Sequence, residues 1–309
     1  MTGISNAIAV STGDRHNCAL LEDKSIKCWG RNLDGELGDG TNENPRKIPV
    51  NVYGVSNAVA VDTGNRHSCA LLDNQSIVCW GRNDNGQLGD GTTNSSNVPV
   101  VVSGISNAIK IGLGSYHTCA VLDNKSVQCW GRNNYGQLGN GEITSTEDNT
   151  SIPMNLVQTQ NVKDVDAKGI STCAVLDNKS VQCWGRNEYG QLGNGITGGN
   201  YSVPVIVSGI SNATKITNGY RHACAILDNK SVQCWGRNNQ GQLGDGTFVD
   251  RNVPTAVTGV KNVVEIAPGY RHTCALLDND TVQCWGQNNQ GQLGDGTTNS
   301  RITPAEVQF

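Results

Sequence analysis

The sequence predicts an all-β fold, a six-bladed β-propeller forming a single domain over residues 1–309. Three observations predict it: a tandem repeat, strand-like alternation within each repeat, and glycines that recur at equivalent places. The repeat is marked by Cys-Trp-Gly, whose cysteines Cys28, Cys79, Cys129, Cys183, Cys234 and Cys284 are spaced by 51, 50, 54, 51 and 50 residues. That period suits a propeller blade.

The fifth repeat shows the elements in order. Asn212-Ala213-Thr214-Lys215-Ile216 alternates, and Gly219-Tyr220-Arg221-His222 leads into Ala223-Cys224-Ala225-Ile226-Leu227, so two strands are predicted. The turn Asp228-Asn229-Lys230 is followed by a third strand, Ser231-Val232-Gln233-Cys234-Trp235-Gly236. A glycine-rich stretch, 239–246, carries the chain to a fourth at Val253-Pro254-Thr255-Ala256-Val257. No segment sustains a 3.6-residue period, which argues against helix throughout. Glycine makes up 38 of 309 residues, well above the usual share of about 7%, and its fixed positions in the repeat mark turns that need φ > 0.

The ends suggest how the ring closes. The chain begins inside the pattern at Asn6-Ala7-Ile8-Ala9-Val10 and finishes on a segment whose Pro304 is the counterpart of Pro49, Pro99, Pro153, Pro204 and Pro254. The expectation is closure by pairing of the N- and C-terminal strands, with residues 302–309 completing the blade begun at the N-terminus. Closure of this kind removes exposed edge strands. A flat sandwich would give its strands no reason to repeat with this period.

The twelve cysteines form six pairs of one spacing: Cys18/Cys28, Cys69/Cys79, Cys119/Cys129, Cys173/Cys183, Cys224/Cys234 and Cys274/Cys284. Each pair flanks one predicted hairpin, so both side chains leave the same face at cross-strand distance, within disulfide reach. Each bridge would stabilise the fold by roughly 2–3 kcal/mol by constraining the unfolded chain. Reduced, buried thiols acting as small hydrophobes are the alternative. Zinc fits poorly, because there is no Cys-x-x-Cys spacing and a hairpin supplies two ligands where a structural site needs four. Disulfides in every blade imply a secreted, periplasmic or cell-surface protein. Residues 1–10 lack the features of a signal peptide, so a leader or further domains are expected to have been removed; no segment could span a membrane.

His-x-Cys-Ala-x-Leu followed by Cys-Trp-Gly-x-Asn-x-x-Gly-Gln-Leu-Gly-x-Gly resembles the regulator of chromosome condensation repeat family over essentially the whole chain. The resemblance implies a propeller, usually of seven blades. Departures are the count of six, the paired cysteines, and a fourth repeat in which Gly169-Ile170-Ser171-Thr172-Cys173 is one residue short and lacks the histidine. Members of that family exchange nucleotide on a small GTPase at chromatin, sense ultraviolet light, or, in a secreted bacterial case, inhibit β-lactamases. Chromatin binding is disfavoured by 23 Lys+Arg against 27 Asp+Glu, a net charge of −4. The light sensor uses Gly-Trp-Arg-His-Thr, and its tryptophans would fall here at Asp14, Asn65, Ser115, Tyr220 and Tyr270. All six tryptophans (Trp29, Trp80, Trp130, Trp184, Trp235 and Trp285) belong instead to Cys-Trp-Gly and are read as blade packing. An extracellular protein binder is the nearest analogue that remains.

The candidate binding residues share one level of the repeat. His16, His67, His117, His222 and His272 occupy a single position, which admits ion binding, a pH response, or hydrogen bonding between blades. Beside them stand Arg15, Arg66, Arg221 and Arg271 with Tyr116, Tyr220 and Tyr270; Arg and Tyr are favoured at interface hot spots, and salt bridges or stacking between blades would use the same residues. Asp39, Asp90, Asp245 and Asp295 suggest calcium, but Asn140 and Asn194 replace them in two repeats, no downstream glutamate completes a loop, and Asx-turns explain them. Sequons at Asn74, Asn124, Asn178, Asn229 and Asn279 sit on hairpin turns. The least repetitive segment, 142–165, is locally acidic through Glu142, Glu147 and Asp148 and reads as a surface insertion. No catalytic set, metal site or cofactor motif stands out from the repeat. The expected function is therefore a non-enzymatic extracellular propeller that binds another protein through the Arg/Tyr/His loops, with no nucleic acid and no membrane insertion. A structural or adhesive module and a glycan or small-ligand binder are the other readings.

Overall fold

The computed structural model describes residues 4–145 and 149–308, so Glu147 and Asp148 of the acidic insertion lie outside the described residues. Every regular element in it is a strand, as the alternation predicts. The strands form six four-stranded antiparallel sheets, the six propeller blades, and the chain divides into two compact units, Met1–Asn161 and Val162–Phe309, with three blades in each.

Each blade uses four consecutive strands. The first contains Ala7–Thr12, His16–Leu21, Ile26–Gly30 and Arg46–Asn51, paired in that order, and the last contains Val263–Pro268, His272–Leu277, Val282–Gly286 and Arg301–Glu306. The expected closure by terminal strands is therefore corrected. Ala7–Thr12 pairs with His16–Leu21, and Arg301–Glu306 pairs with Val282–Gly286, so each terminal strand is an edge of its own sheet. The proline-containing strand is the fourth strand of its own repeat, and the chain starts in phase with a blade boundary.

The central hairpin of every blade is set by local sequence. Its tip is an Asx-turn: Asn229 Oδ1 accepts from Ser231 N at 3.1 Å and Ser231 Oγ at 2.7 Å, with Lys230 held at φ 59° between them. Asn74, Asn124, Asn178 and Asn279 build the same turn, so the sequon asparagines are structural at their amide oxygens. From that tip the register places Cys224 opposite Cys234, and all six expected pairs stand as disulfides.

The hydrophobic core within each unit lies between neighbouring blades, not inside one sheet. Cys69, Leu71, Ile77 and Leu88 of the second blade pack on Ala108, Ala120, Leu122 and Trp130 of the third. Val175, Val181, Leu192 and Val207 of the fourth pack likewise on Ala213, Ile216, Ala225 and Trp235 of the fifth. The seam is sealed by the Gly-Gln-Leu-Gly loop, whose last glycine lies beneath the next blade's indole: a Cβ on Gly89 would stand 2.5 Å from Trp130 Nε1. The indole N–H then donates to a loop carbonyl, Trp130 to Gln87 O at 3.0 Å and Trp235 to Gln191 O at 3.0 Å. The expectation that these tryptophans serve blade packing is met in that contact.

Candidate functional site

The Arg/Tyr/His loops follow the first strand of each blade, and a close backbone approach fixes their position. Arg237 N donates to Arg221 O at 2.9 Å, and a Cβ on Gly236 would stand 2.6 Å from that same carbonyl, so only glycine fits after the tryptophan. The contact repeats as Arg31 to Arg15, Arg82 to Arg66, Arg132 to Tyr116 and Gln287 to Arg271. The residue after Cys-Trp-Gly is thereby brought alongside the candidate loop. The recurrent arginine at that place was the sequence signal for this second row.

The histidines do not join the exposed loops. His16, His67, His117 and His222 are buried and His272 is half-buried, which removes the first four from the expected binding surface. His16 Nε2 lies 2.9 Å from Ser68 Oγ, His67 Nε2 3.0 Å from Thr118 Oγ1, and His222 Nε2 2.9 Å from Thr273 Oγ1, each in the following blade. Those hydroxyls donate to Glu36 O, Gln87 O and Gln242 O at 2.9 Å. Each hydroxyl proton is thus committed, so the oxygen accepts from the imidazole Nε2–H. Burial pushes His16 down to about 4 and His67, His117 and His222 down to about 3. Of the readings open at this position, hydrogen bonding between blades is the one the geometry has.

The arginines and tyrosines remain accessible, and they differ between the two units. In residues 162–309 they form a continuous stack. The Tyr220 and Tyr270 rings lie 4.5 Å apart, with the Arg271 guanidinium 5.3 Å over Tyr270 and that of Arg221 5.5 Å over Tyr220. Arg221 also lies 5.0 Å over Tyr189 and donates from Nη1 to its hydroxyl at 2.9 Å, while Arg237 covers the same ring at 4.7 Å. Tyr189, from the loop before Gly-Gln-Leu-Gly, and Arg237 are residues that sequence reasoning missed. In the shortened fourth repeat, Ile170 turns inward and Gly169 lets the Tyr220 backbone come close, since a Cβ there would meet Tyr220 O at 2.5 Å.

In the first repeat, carboxylates stand at Asp14 and Asp34, the places held by Tyr220, Tyr270 and Tyr189 in the later repeats, while the third repeat keeps tyrosine at Tyr116 and Tyr135. Arg31 pairs with Asp34 at 3.1 Å and with buried Glu36 at 3.3 Å, Arg66 reaches Asp34 at 3.8 Å, and Arg82 pairs with Asp84. Arg15 is largely exposed beside Asp14, and Tyr116 lies beneath Arg132 at 5.4 Å. Burial raises the Glu36 carboxyl. Its Oε2 accepts from Asp34 N at 2.8 Å, the bond that a glutamine makes at the same place in the other repeats described, such as Gln191 to Tyr189 N.

The aspartates once considered for calcium are occupied by the protein. Asp245 Oδ1 accepts from Thr247 N at 3.0 Å and Thr247 Oγ1 at 2.7 Å, while its Oδ2 takes Arg251 Nε at 2.8 Å; Asp39 and Asp295 repeat the set with Arg46 and Arg301. Burial works to raise the Asp39 and Asp245 carboxyls, but these hydrogen bonds outweigh it and leave both below the ordinary range. The arrangement is an Asx-turn closed by an arginine.

The comparisons with known proteins agree with this architecture. The chain is 31% identical over 251 residues to the ultraviolet-B receptor UVR8 of Arabidopsis thaliana, covering 79% of this chain and 56% of that protein. It is 28% identical over 247 residues to the human E3 ubiquitin-protein ligase HERC2, covering 78% of this chain and 5% of that one. The chain thus spans only a small part of HERC2 and little over half of UVR8. Among solved structures, yeast RCC1 (Prp20) bound to Kap60 matches with a TM-score of 0.87 at 20% identity, covering 98% of this chain and 75% of that one. Human WBSCR16 matches with a TM-score of 0.88 at 23% identity, covering 99% and 83%. With the RCC1-like domain model matching residues 2–309, this chain belongs to the RCC1-like domain family.

Proposed function

We propose that this chain is a non-enzymatic, extracellular protein-binding propeller whose recognition face is the cation–π stack of Tyr189, Tyr220, Arg221, Arg237, Tyr270 and Arg271. The observation that carries the reading is the stack itself: planar side chains on three successive blades, ordered against one another and still open to solvent, with Tyr270 at 50% exposure. Ordering before binding lowers the entropic cost of association, and Arg and Tyr are the residue types that dominate interface energetics. Three guanidiniums in the stack favour a partner surface rich in carboxylates. Protein binding is in keeping with relatives: yeast RCC1 is bound to Kap60, and Prp20p has binding properties to Gsp1p and histones. The six disulfides support an oxidising compartment.

The test is affinity capture from the extracellular medium of the source organism with the oxidised protein, set against the Arg221→Ala/Tyr270→Ala double variant. Loss of the captured protein by tenfold or more, with an unchanged melting temperature, is expected. Equal capture by both would overturn the face. Mass analysis of natively isolated protein after non-reducing alkylation tests the compartment, for which twelve alkylated thiols are the adverse result.

A further inference from the structure

The cations of the stack lack the carboxylates that attend their counterparts in other repeats. Arg82 pairs with Asp84 and Arg186 with Glu188, two residues on in each case, whereas the residue two after Arg237 is Asn239. Among the described residues Arg221, Arg237 and Arg271 form no ion pair, and what holds their guanidiniums is the rings of Tyr189, Tyr220 and Tyr270. Three cations without a counter-charge thus stand together in a chain whose net charge is −4.

A loop next to Arg237 departs from the repeat a second time. It is the turn after Gly-Gln-Leu-Gly, in which a threonine hydroxyl accepts from the backbone N two residues on: Thr41 from Glu43, Thr92 from Asn94, Thr247 from Val249 and Thr297 from Asn299. That register sets Phe248-Val249 against Asn42-Glu43, Thr93-Asn94 and Thr298-Asn299. Where those repeats are polar, the fifth presents a phenylalanine at 58% exposure and a valine at 57%. The loop is fixed, since Asn238 Nδ2 donates to Thr247 O and Val249 O at 3.1 Å, and its one free carboxylate, Asp250, is turned onto Asn238 N at 2.6 Å. Asn238 directly follows Arg237, so cation and apolar loop share an anchor. The fourth blade adds a third apolar side chain in the same way. Ile196 is 53% exposed where Thr41, Thr92, Thr247 and Thr297 stand in other repeats, and its carbonyl accepts at 2.9 Å from Nδ2 of Asn187, two residues before Tyr189. The two loops meet at Asn252, which exchanges hydrogen bonds of 2.8 and 2.9 Å with Gly195.

Single exposed apolar residues are ordinary, but three that replace polar residues at fixed loop positions beside uncompensated cations make a two-part site. We propose that the segment bound here is acidic and apolar in close succession: its carboxylates pair with Arg221 and Arg237, and an aliphatic or aromatic side chain a few residues away covers Phe248, Val249 and Ile196. The inference rests on the stack being a recognition face and adds what makes that face selective. Guanidiniums alone accept any acidic surface, whereas the apolar contact separates one acidic partner from another. Gly236 pairs with Arg251 across neighbouring strands, which lie about 5 Å apart, so one extended segment reaches both parts.

Fluorescence anisotropy with three labelled peptides of equal length tests this. One carries aspartates and glutamates followed by leucine and phenylalanine, one the same carboxylates followed by serines, and one lysines followed by the same leucine and phenylalanine. They are titrated with the oxidised wild type, with Arg237→Ala, and with Phe248→Thr/Val249→Asn, which restores the pair found at Thr298 and Asn299. The wild type is expected to bind the acidic, apolar peptide about tenfold more tightly than the acidic, serine one, the gain from burying one aliphatic side chain. Phe248→Thr/Val249→Asn loses that preference and keeps its affinity for the serine peptide, while Arg237→Ala weakens binding of both acidic peptides. Equal binding of the two acidic peptides by the wild type, or a preference that survives the loop substitution, overturns this inference and leaves the stack standing. No binding of either acidic peptide, binding of the lysine peptide as tight as that of its acidic counterpart, or unchanged binding by Arg237→Ala overturns the stack as a recognition face and this inference with it.

Discussion

Arg221 and His222 are neighbours in the chain with opposite fates, and the two regions they belong to divide the labour of the molecule. His222 enters the seam, is 1% exposed, and bonds Thr273 in the next blade. Arg221 stays at the surface, between the rings of Tyr189 and Tyr220. The seam is built from glycine, indole and buried imidazole whose Nε2 bonds a hydroxyl of the next blade. The face above it is built from planar cations and phenols whose outer sides are open. Burial of apolar surface between blades gives stability, and the ordered, accessible side chains are the ones proposed for recognition.

The comparison breaks most visibly at a tryptophan. Trp235→Ala removes a wholly buried indole and its hydrogen bond to Gln191 O, and is expected to destabilise by about 3–5 kcal/mol in denaturant titration. Trp29→Ala, where the indole is only half-buried, is expected to cost well under half of that in the same measurement. Equal losses at the two sites would mean that seam burial is not what holds the indole.

A pH series separates the regions next. The seam histidines have folded-state values below the ordinary one near 6.5, so between pH 6.5 and about 4 the unfolded chain binds more protons than the folded one. Their contribution is complete above pH 6.5 and is lost as pH falls toward 3–4, at about 1.4 kcal/mol per pH unit for each histidine. The midpoint of urea unfolding is expected to drop steadily from pH 7 to pH 5. His67→Gln should lose part of that slope, whereas Arg221→Ala should keep all of it. A flat profile over that range would contradict buried neutral imidazoles.

The smallest effect is on the face. Arg221→Ala is expected to cost about 1–2 kcal/mol, less than the seam tryptophan, since it removes two cation–π contacts worth roughly 0.5–1 kcal/mol each and one hydrogen bond to Tyr189. A calorimetric shift larger than that of a seam variant would reverse the assignment of roles.

Much of the blade was legible beforehand. The strand order, the Asx-turn tips and the six cysteine pairs rest on residues that lie within one hairpin, where alternation and turn chemistry set the register. Hydrogen bonding of the histidines between blades was one of several open readings, and nothing inside a single repeat could choose among them, because the deciding group is a hydroxyl such as Thr273 some 51 residues on. Tyr189 was missed for a related reason: it lies in a different loop from Tyr220 and Arg221, 32 residues from the arginine that bonds it. The terminal strands were placed in the wrong sheet, since a repeat pattern has no inherent first strand and its phase is set only by which strands pair.

What this sequence determined by itself is therefore the blade: four strands, a stapled hairpin, and glycines at positions where a side chain would collide with backbone. What only the tertiary structure decided is what lies between neighbouring blades within a unit, including the inward histidines and the cation–π stack. The physical reason is range. A hairpin is specified by contacts between residues about ten apart, whereas a seam exists only when one repeat's glycine, carbonyl and hydroxyl meet the next repeat's indole and strand, which no repeat encodes alone.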